Sequence, residues 1–142
     1  LEQAIPDIKL NIVGDNSAPS LATINKENIN FTGRLDSVEE MYNASRVFIA
    51  PTRFAAGIPH KIHEAAAKGL PSVTTALLAQ QLGWQDTKQL LVADTPEAYA
   101  AQCIKLYQDE KLWLDVRDAG LTGIAKDCSQ ETFRKNLAGL FT

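Results

Sequence analysis

Short apolar runs alternate along the chain with longer stretches in which apolar positions recur every three to four residues. The runs read as strands and the longer stretches as helices. Residues 8–13 alternate apolar and polar before a turn at Gly14, Asp15 and Asn16, which predicts a strand with a loop at its carboxyl end. Residues 28–32 predict a second strand, closed by Gly33 and Arg34. Residues 46–50 predict a buried strand that Pro51 ends, because proline has no ladder donor. Residues 70–75 and 89–93 supply two more. Helices are expected over 37–43, 59–68, 76–82, 96–108, 111–126 and 130–140, with a short one over 17–24 and the tail of another at 1–4. Ser37 and Glu40 have the spacing of a capping box, while Thr95 and Ser129 mark two further helix starts. In the 111–126 helix Leu112, Val116, Ala119 and Ile124 form one apolar side, and Gly120 and Gly123 are expected to loosen it.

Strands alternating with helices predict an α/β fold: a Rossmann-like, doubly wound parallel sheet of about five strands with helices on both faces. Ligands of such folds sit at the carboxyl ends of the strands, where Gly14 and Asp15, Gly33 and Arg34, residues 51–57, and Thr74 and Thr75 are expected. Residues 50–75 form the centre of this arrangement, as strand, open loop, helix and strand. Ala55, Ala56 and Gly57 let a backbone or ligand come close, Pro59 suits a first helical turn, Gly69 suits a left-handed cap, and Pro71 forbids continuation.

The first turn of that helix presents N–H groups and partial positive charge, a ready anion site that most often takes phosphate. At about 100° per residue, His60, Lys61, Glu64 and Lys68 share one side, and Ile62, Ala65, Ala66 and Gly69 the other. A carboxylate just above a phosphate-binding turn suits sugar hydroxyls, and His60 beside the loop can donate to phosphate. The plainer alternative is a solvated face with a Glu64–Lys68 pair one turn apart. His60, His63 and Glu64 also fall in one helical arc, but their spacing differs from H-E-x-x-H and no further ligand is evident, so no metal is expected. No nucleophile motif is present. Cys103 and Cys128 fall on predicted helix faces and are expected to pack.

The run Pro51-x-Arg53-x-x-Ala56-Gly57-Ile58-x-x-Lys61-Ile62-x-Glu64-Ala65-x-Ala67-x-Gly69-Leu70-Pro71-x-Val73-Thr74-Thr75 closely resembles the donor-binding motif of group 1 retaining glycosyltransferases. The order of the remaining segments, from the Ile-Val-Gly strand through Phe-Thr-Gly-Arg to Leu-Val-Ala-Asp-Thr-Pro-Glu-Ala-Tyr, resembles the same family. The resemblance implies the C-terminal, donor-binding domain of a two-domain GT-B enzyme. Glu64 would contact the nucleotide ribose, while Ala56, Gly57, Ile58 and His60 line the diphosphate. Gly33, Arg34 and Leu35 would lie beside the base, chiefly through backbone atoms. Arg53 and Lys61 would stabilise the leaving diphosphate as catalytic cations, with no cofactor and no metal. Many family members have a second glutamate, touching the donor sugar, at the position that is Ala56 here; the Gly57-Ile58…Lys61 wording resembles a branch that does without it.

The family domain usually opens with a Gly-Arg strand and a nearby lysine, which do not occur here. Residues 1–142 are therefore expected to be one domain of a longer enzyme, inactive alone, with an acceptor domain elsewhere. The implied partners are a nucleotide diphosphate sugar donor and a glycan or lipid-linked acceptor, with peripheral membrane association of the full-length enzyme. A sugar-nucleotide epimerase of the same architecture and a non-enzymatic nucleotide-binding or interaction module are the alternatives. Phosphate-dependent regulators with similar sheets need acidic clusters at the strand ends, and only Asp15 and Asp94 are placed for that.

Composition narrows the setting. One domain's worth of chain, 142 residues, is 45% hydrophobic and 22% charged. A net charge of −3 argues against nucleic acid, which wants a basic face. Two cysteines cannot form a disulfide framework, which points to a reduced, cytoplasmic setting. No apolar run is long enough to span a bilayer, and no leader pattern opens the chain.

Overall fold

The computed structural model describes residues 1–15, 17–21, 23–24 and 26–139. Asn16 of the first expected turn and Leu140 at the expected end of the last helix lie outside the described residues. The chain divides into two compact units, Leu1–Ser45 and Arg46–Thr142.

In the first unit β1 (Leu10–Val13) pairs in parallel with β2 (Ile29–Gly33). Ile12 lies opposite Phe31, after which the register shifts so that Val13 faces Gly33. The Gly14 N–H then bonds the Gly33 carbonyl at 2.9 Å, tying the two carboxyl ends together. Residues 1–5 make a single helical turn, with Ile5 N–H bonding Leu1 O at 2.9 Å. The short helix expected over 17–24 is replaced, among the described residues, by turns such as Leu21 N–H to Ala18 O at 2.9 Å.

Helix α1 (Glu39–Ala44) starts later than expected, with Val38 at the N-cap and no side-chain cap. The Ser37 hydroxyl instead accepts from Glu39 N–H at 3.3 Å. Glu40 is then the second helical residue rather than the third, so the capping box does not form.

The second unit holds β3 (Phe48–Ala50), β4 (Ser72–Thr74) and β5 (Leu91–Val92) as a parallel sheet in that spatial order. Helix α2 (His60–Ala67) joins β3 to β4, and α3 (Ala76–Leu82) leads towards β5. Three helices follow: α4 (Pro96–Gln108), α5 (Glu110–Asp127) and α6 (Gln130–Gly139). The expected α/β order with parallel strands is present, the five strands bonding as one sheet of two and one of three.

Local signals placed several boundaries. Thr95 Oγ1 accepts from Ala98 N–H at 3.3 Å to cap α4, and Ser129 Oγ accepts from Thr132 N–H at 3.0 Å at the start of α6. Gly69, at φ +71°, ends α2 in the left-handed conformation that a side chain would strain.

Two apolar clusters fill the second unit. Ala50, Ile62, Ala66, Leu78, Trp84 and Leu90 belong to one, and Val73, Leu91, Cys103, Leu106 and Val116 to the other. Neighbouring Leu90 and Leu91 enter different clusters, as alternation along an extended chain requires. Helix α5 serves both, with Val116 in the second and Ile124 packed against the first. Burying a side chain such as Leu91 or Ile62 completely contributes about 1.5–3 kcal/mol each.

The α5 glycines do not loosen their helix. Gly120 and Gly123 are buried, and a Cβ on Gly123 would sit 3.0 Å from Cζ2 of Trp84. At Gly123 the helix has no room for a side chain because the Trp84 ring fills the space, whereas a Cβ on Gly120 would only touch Ala66 and the Gln89 carbonyl at an ordinary 3.6 Å. The Trp84 indole N–H is fixed on Asp127 Oδ2 at 2.8 Å.

Cys103 packs as expected, and burial pushes its thiol up to about 11. Cys128 does not: α5 ends at Asp127, and this thiol is exposed just past the helix, 4.0 Å from His63 Nδ1. No helix among the described residues is long and apolar enough to cross a membrane.

Candidate functional site

The site begins where β3 ends. The Tyr99 hydroxyl, reaching in from α4, accepts from Ala50 N–H at 2.9 Å and donates to the Val73 carbonyl. Burial raises this phenol well above its ordinary range, so it stays a neutral clamp between β3 and β4. The chain then leaves the sheet as an exposed loop over residues 51–58. At its start Thr52 is held twice: Thr75 Oγ1 donates to its carbonyl at 2.8 Å, and Lys61 Nζ donates to its hydroxyl at 2.8 Å. Further along, Gln81 Nε2 donates to Ala55 O at 3.0 Å.

Gly57 turns the chain with φ +83°, open to solvent, before the buried Pro59 leads into α2. Phe54 is 91% exposed on this loop. Pro59 takes the N-cap place, so α2 starts at His60, one residue beyond the expected start.

Two of the first-turn N–H groups are not open to an anion as the sequence suggested. His60 N–H bonds Ile58 O at 2.9 Å, and Ile62 N–H bonds Pro59 O at 3.0 Å. An anion at this end would therefore meet the positive end of the helix and nearby cations more than a ring of unused donors.

The two sides of α2 divide as its spacing predicts. Ile62, Ala65 and Ala66 are buried, whereas His60, Lys61 and Glu64 are exposed on the side that continues from the loop. Arg53 is exposed and, among the described residues, has no hydrogen-bonding or ionic partner. The loop and α2 thus bring Arg53, Ala56, Gly57, Ile58, His60, Lys61 and Glu64 into one continuous stretch of surface. Gly33, Arg34 and Leu35 belong to the first unit, at the carboxyl end of β2, where the Gly33 carbonyl is already engaged by Gly14 N–H.

His63 shares the arc of His60 and Glu64 but is not exposed with them. It is half-buried against Trp84, with ring centroids 5.4 Å apart, and desolvation lowers its pKa; the His60 charge adds to that and Asp127 opposes it. Among the described residues no three His, Cys, Asp or Glu side chains are grouped to hold a metal. The two acidic strand-end candidates are engaged elsewhere. Asp94 accepts from Ala76 N–H at 3.0 Å at the start of α3, and Asp15 accepts from Ser17 N–H at 3.0 Å.

Of the residues that hold the loop, Lys61 and Thr75 were placed at this edge by the sequence, whereas Tyr99 and Gln81 were not singled out. Tyr99 and Gln81 lie on helices like any other polar residue, and their partners are 49 and 26 positions away. Thr75 also left a faint signal of its bond. It follows Ser72 and Thr74, hydroxyl residues buried at the end of an inner strand, where a polar side chain needs a partner.

No curated protein matches the sequence. The chain is similar in fold to Anabaena Alr3699/HepE in complex with UDP-glucose, with a TM-score of 0.79 and 14% identity over 98% of this chain and 42% of that one. It is likewise similar to Anabaena Alr3699/HepE in complex with UDP and glucose, with a TM-score of 0.77 and 15% identity over 98% and 41%. The chain thus spans about two-fifths of the length of those chains. Residues 1–109 match the family described as glycosyl transferases group 1, a match over most of the chain. The chain belongs to the group 1 glycosyltransferases.

Proposed function

We propose that this chain is the donor-binding half of a retaining, GT-B glycosyltransferase that transfers a sugar from a nucleoside diphosphate sugar to a glycan or lipid-linked acceptor. One observation supports this reading most. A loop anchored at the carboxyl end of β3 runs straight into α2, whose exposed side presents His60, Lys61 and Glu64 together. The relatives in complex with UDP-glucose add to it through their shared fold.

In this reading the diphosphate lies over residues 56–58 and the start of α2, near His60. Lys61 and Arg53 offset the charge that gathers on the leaving diphosphate as the glycosidic bond breaks. Lys61 needs only to exchange the Thr52 hydroxyl for a phosphate oxygen. Glu64, one turn further along α2, accepts from two ribose hydroxyls. The backbone at Gly33, Arg34 and Leu35 lies beside the base. These protein cations make a metal or other cofactor unnecessary. The acceptor is bound by a separate domain, in a cytoplasmic setting, with the full-length enzyme resting peripherally on a membrane and serving polysaccharide synthesis.

The test is titration of UDP and GDP into the full-length protein, followed by product analysis with the matching sugar donors. Binding of one nucleotide, with sugar transfer at retained anomeric configuration, is the expected result. Interconversion of the free sugar nucleotides would identify an epimerase instead. Absence of binding by either nucleotide at millimolar concentration would overturn the site.

A further inference from the structure

We propose that Gln81 is the positioning residue of the 51–58 loop, gripping it with one end of its amide in the open state and with both ends when the loop closes on a diphosphate. The closing step rests on the function proposed above; the grip itself does not.

Gln81 sits in the last turn of α3, and its Nε2 donates to Ala55 O at 3.0 Å. The partner fixes which end of the amide is nitrogen, since a carbonyl only accepts. Among the described residues this is the one hydrogen bond that reaches residues 53–57. The remaining anchors stop at Thr52 on one side and Ile58 on the other. The middle of the loop therefore hangs on a single side chain.

The other end of the same amide is out of balance. Gln81 Oε1 is buried and has no protein hydrogen-bond partner among the described residues. A buried acceptor without a donor is unfavourable, so a conformation that delivers a donor is favoured over one that does not. The loop that Gln81 already touches can supply one. The N–H groups of residues 53–57 bond no protein acceptor among the described residues, and those following Ala55 O are closest along the chain to the grip. One side-chain amide can pair with a peptide C=O and a peptide N–H together, much as peptide groups do between strands.

A shift of the loop that brings the N–H of Ala56 or Gly57 onto Oε1 completes that pair. Gly57 is where the backbone can make this change: it already has φ +83°, and nothing lies within 4 Å of the place a Cβ would occupy. Open and closed loops then differ by little more than one hydrogen bond. A diphosphate held by Arg53, Lys61 and the start of α2 has enough differential affinity to shift that balance.

Arg53 and Phe54 are exposed, so trypsin and chymotrypsin cleavage after these residues reads the loop directly in the full-length protein. Gln81→Met keeps the length of the side chain without its donor or carbonyl oxygen, and Gln81→Glu keeps an acceptor but loses the N–H. Without nucleotide, both variants should be cut about fivefold faster than wild type at residues 53–54, with unchanged melting temperature, because cleavage follows the population of the open loop. Saturating UDP or GDP should slow wild-type cleavage by about fivefold or more and leave Gln81→Met, which lacks the acceptor, within about twofold of its free rate.

Equal cleavage of wild type and variants without nucleotide would overturn the grip. Equal protection of wild type and Gln81→Met by nucleotide would overturn the closing step. Faster cleavage of the variants, with no nucleotide effect on wild type, would support the grip while removing the closing step and, if titration also shows no binding, the proposed function.

Discussion

Glu64 is the residue on which the proposed site can be judged most sharply. It lies exposed in the second turn of α2, on the side opposite Ile62 and Ala66. If its carboxylate accepts from two ribose hydroxyls, Glu64→Gln keeps the size, loses the charge and turns one acceptor into a donor. Nucleotide affinity should fall by about 1.5–3 kcal/mol, the range for hydrogen bonds to charged groups. If Glu64 serves only the wet face of its helix, the change costs at most about 0.5 kcal/mol of stability and nothing in binding. Nucleotide titration with melting curves as the folding control separates the two, and unchanged affinity in a folded variant returns Glu64 to the surface.

Next to Glu64 on the same helix, His63 gives the protein a pH dependence. Burial against Trp84 lowers its proton affinity in the folded state, helped by His60 and opposed by Asp127, with the Cys128 thiol beside Nδ1. The unfolded chain binds this proton near 6.5, so the contribution of neutral His63 to stability is complete above that pH. It is lost as pH falls below 6.5 towards the lower folded value. The wild-type melting temperature should therefore drop more steeply between about pH 7 and about pH 5 than that of His63→Phe, which keeps a ring on Trp84. Parallel pH profiles would show that His63 does not carry this dependence.

At the scale of elements, the contact between α5 and Trp84 is the tightest test of the packing. Gly123→Ala would place a methyl 3.0 Å from a ring that its bond to Asp127 holds in place. The expected cost is about 1–3 kcal/mol, typical of overpacking, measured by denaturant titration. A cost near zero would mean that the ring moves aside. The same contact shows what the sequence could and could not convey. Buried strands, the Thr95 and Ser129 caps and the left-handed Gly69 were legible because each depends on neighbours within a few positions. The Ser37–Glu40 box was misread because it needs a helix start fixed to the residue, and α1 begins at Glu39. Gly120 and Gly123 were misread because what a missing side chain touches is decided by another element. In the candidate site, the exposed and buried sides of α2 followed from spacing alone. The grip of Thr75 and Gln81 on the loop did not, since each reaches more than 20 positions along the chain.

At the scale of the whole molecule, burial is unevenly shared. Every buried residue among those described lies at Ala50 or beyond, and the unit Leu1–Ser45 contains none. Amide exchange should accordingly be slowest in β4 and the inner turns of α2 and α4, and fast in β1 and β2, because local opening is easiest where little apolar surface is lost from water. Comparable protection of Ile12 and Val73 would contradict this.

The placing of the indoles adds an optical consequence. The chain has two tryptophans, Trp84 with its N–H on Asp127 and Trp113 with its N–H on the Arg46 carbonyl at 2.7 Å, and both belong to Arg46–Thr142. Their emission reports on that unit alone, whereas far-ultraviolet circular dichroism sums the peptide groups of both. On heating, the dichroism signal should begin to change before the emission shifts. A melting curve followed by fluorescence would then credit the entire chain with a stability that belongs to its second unit.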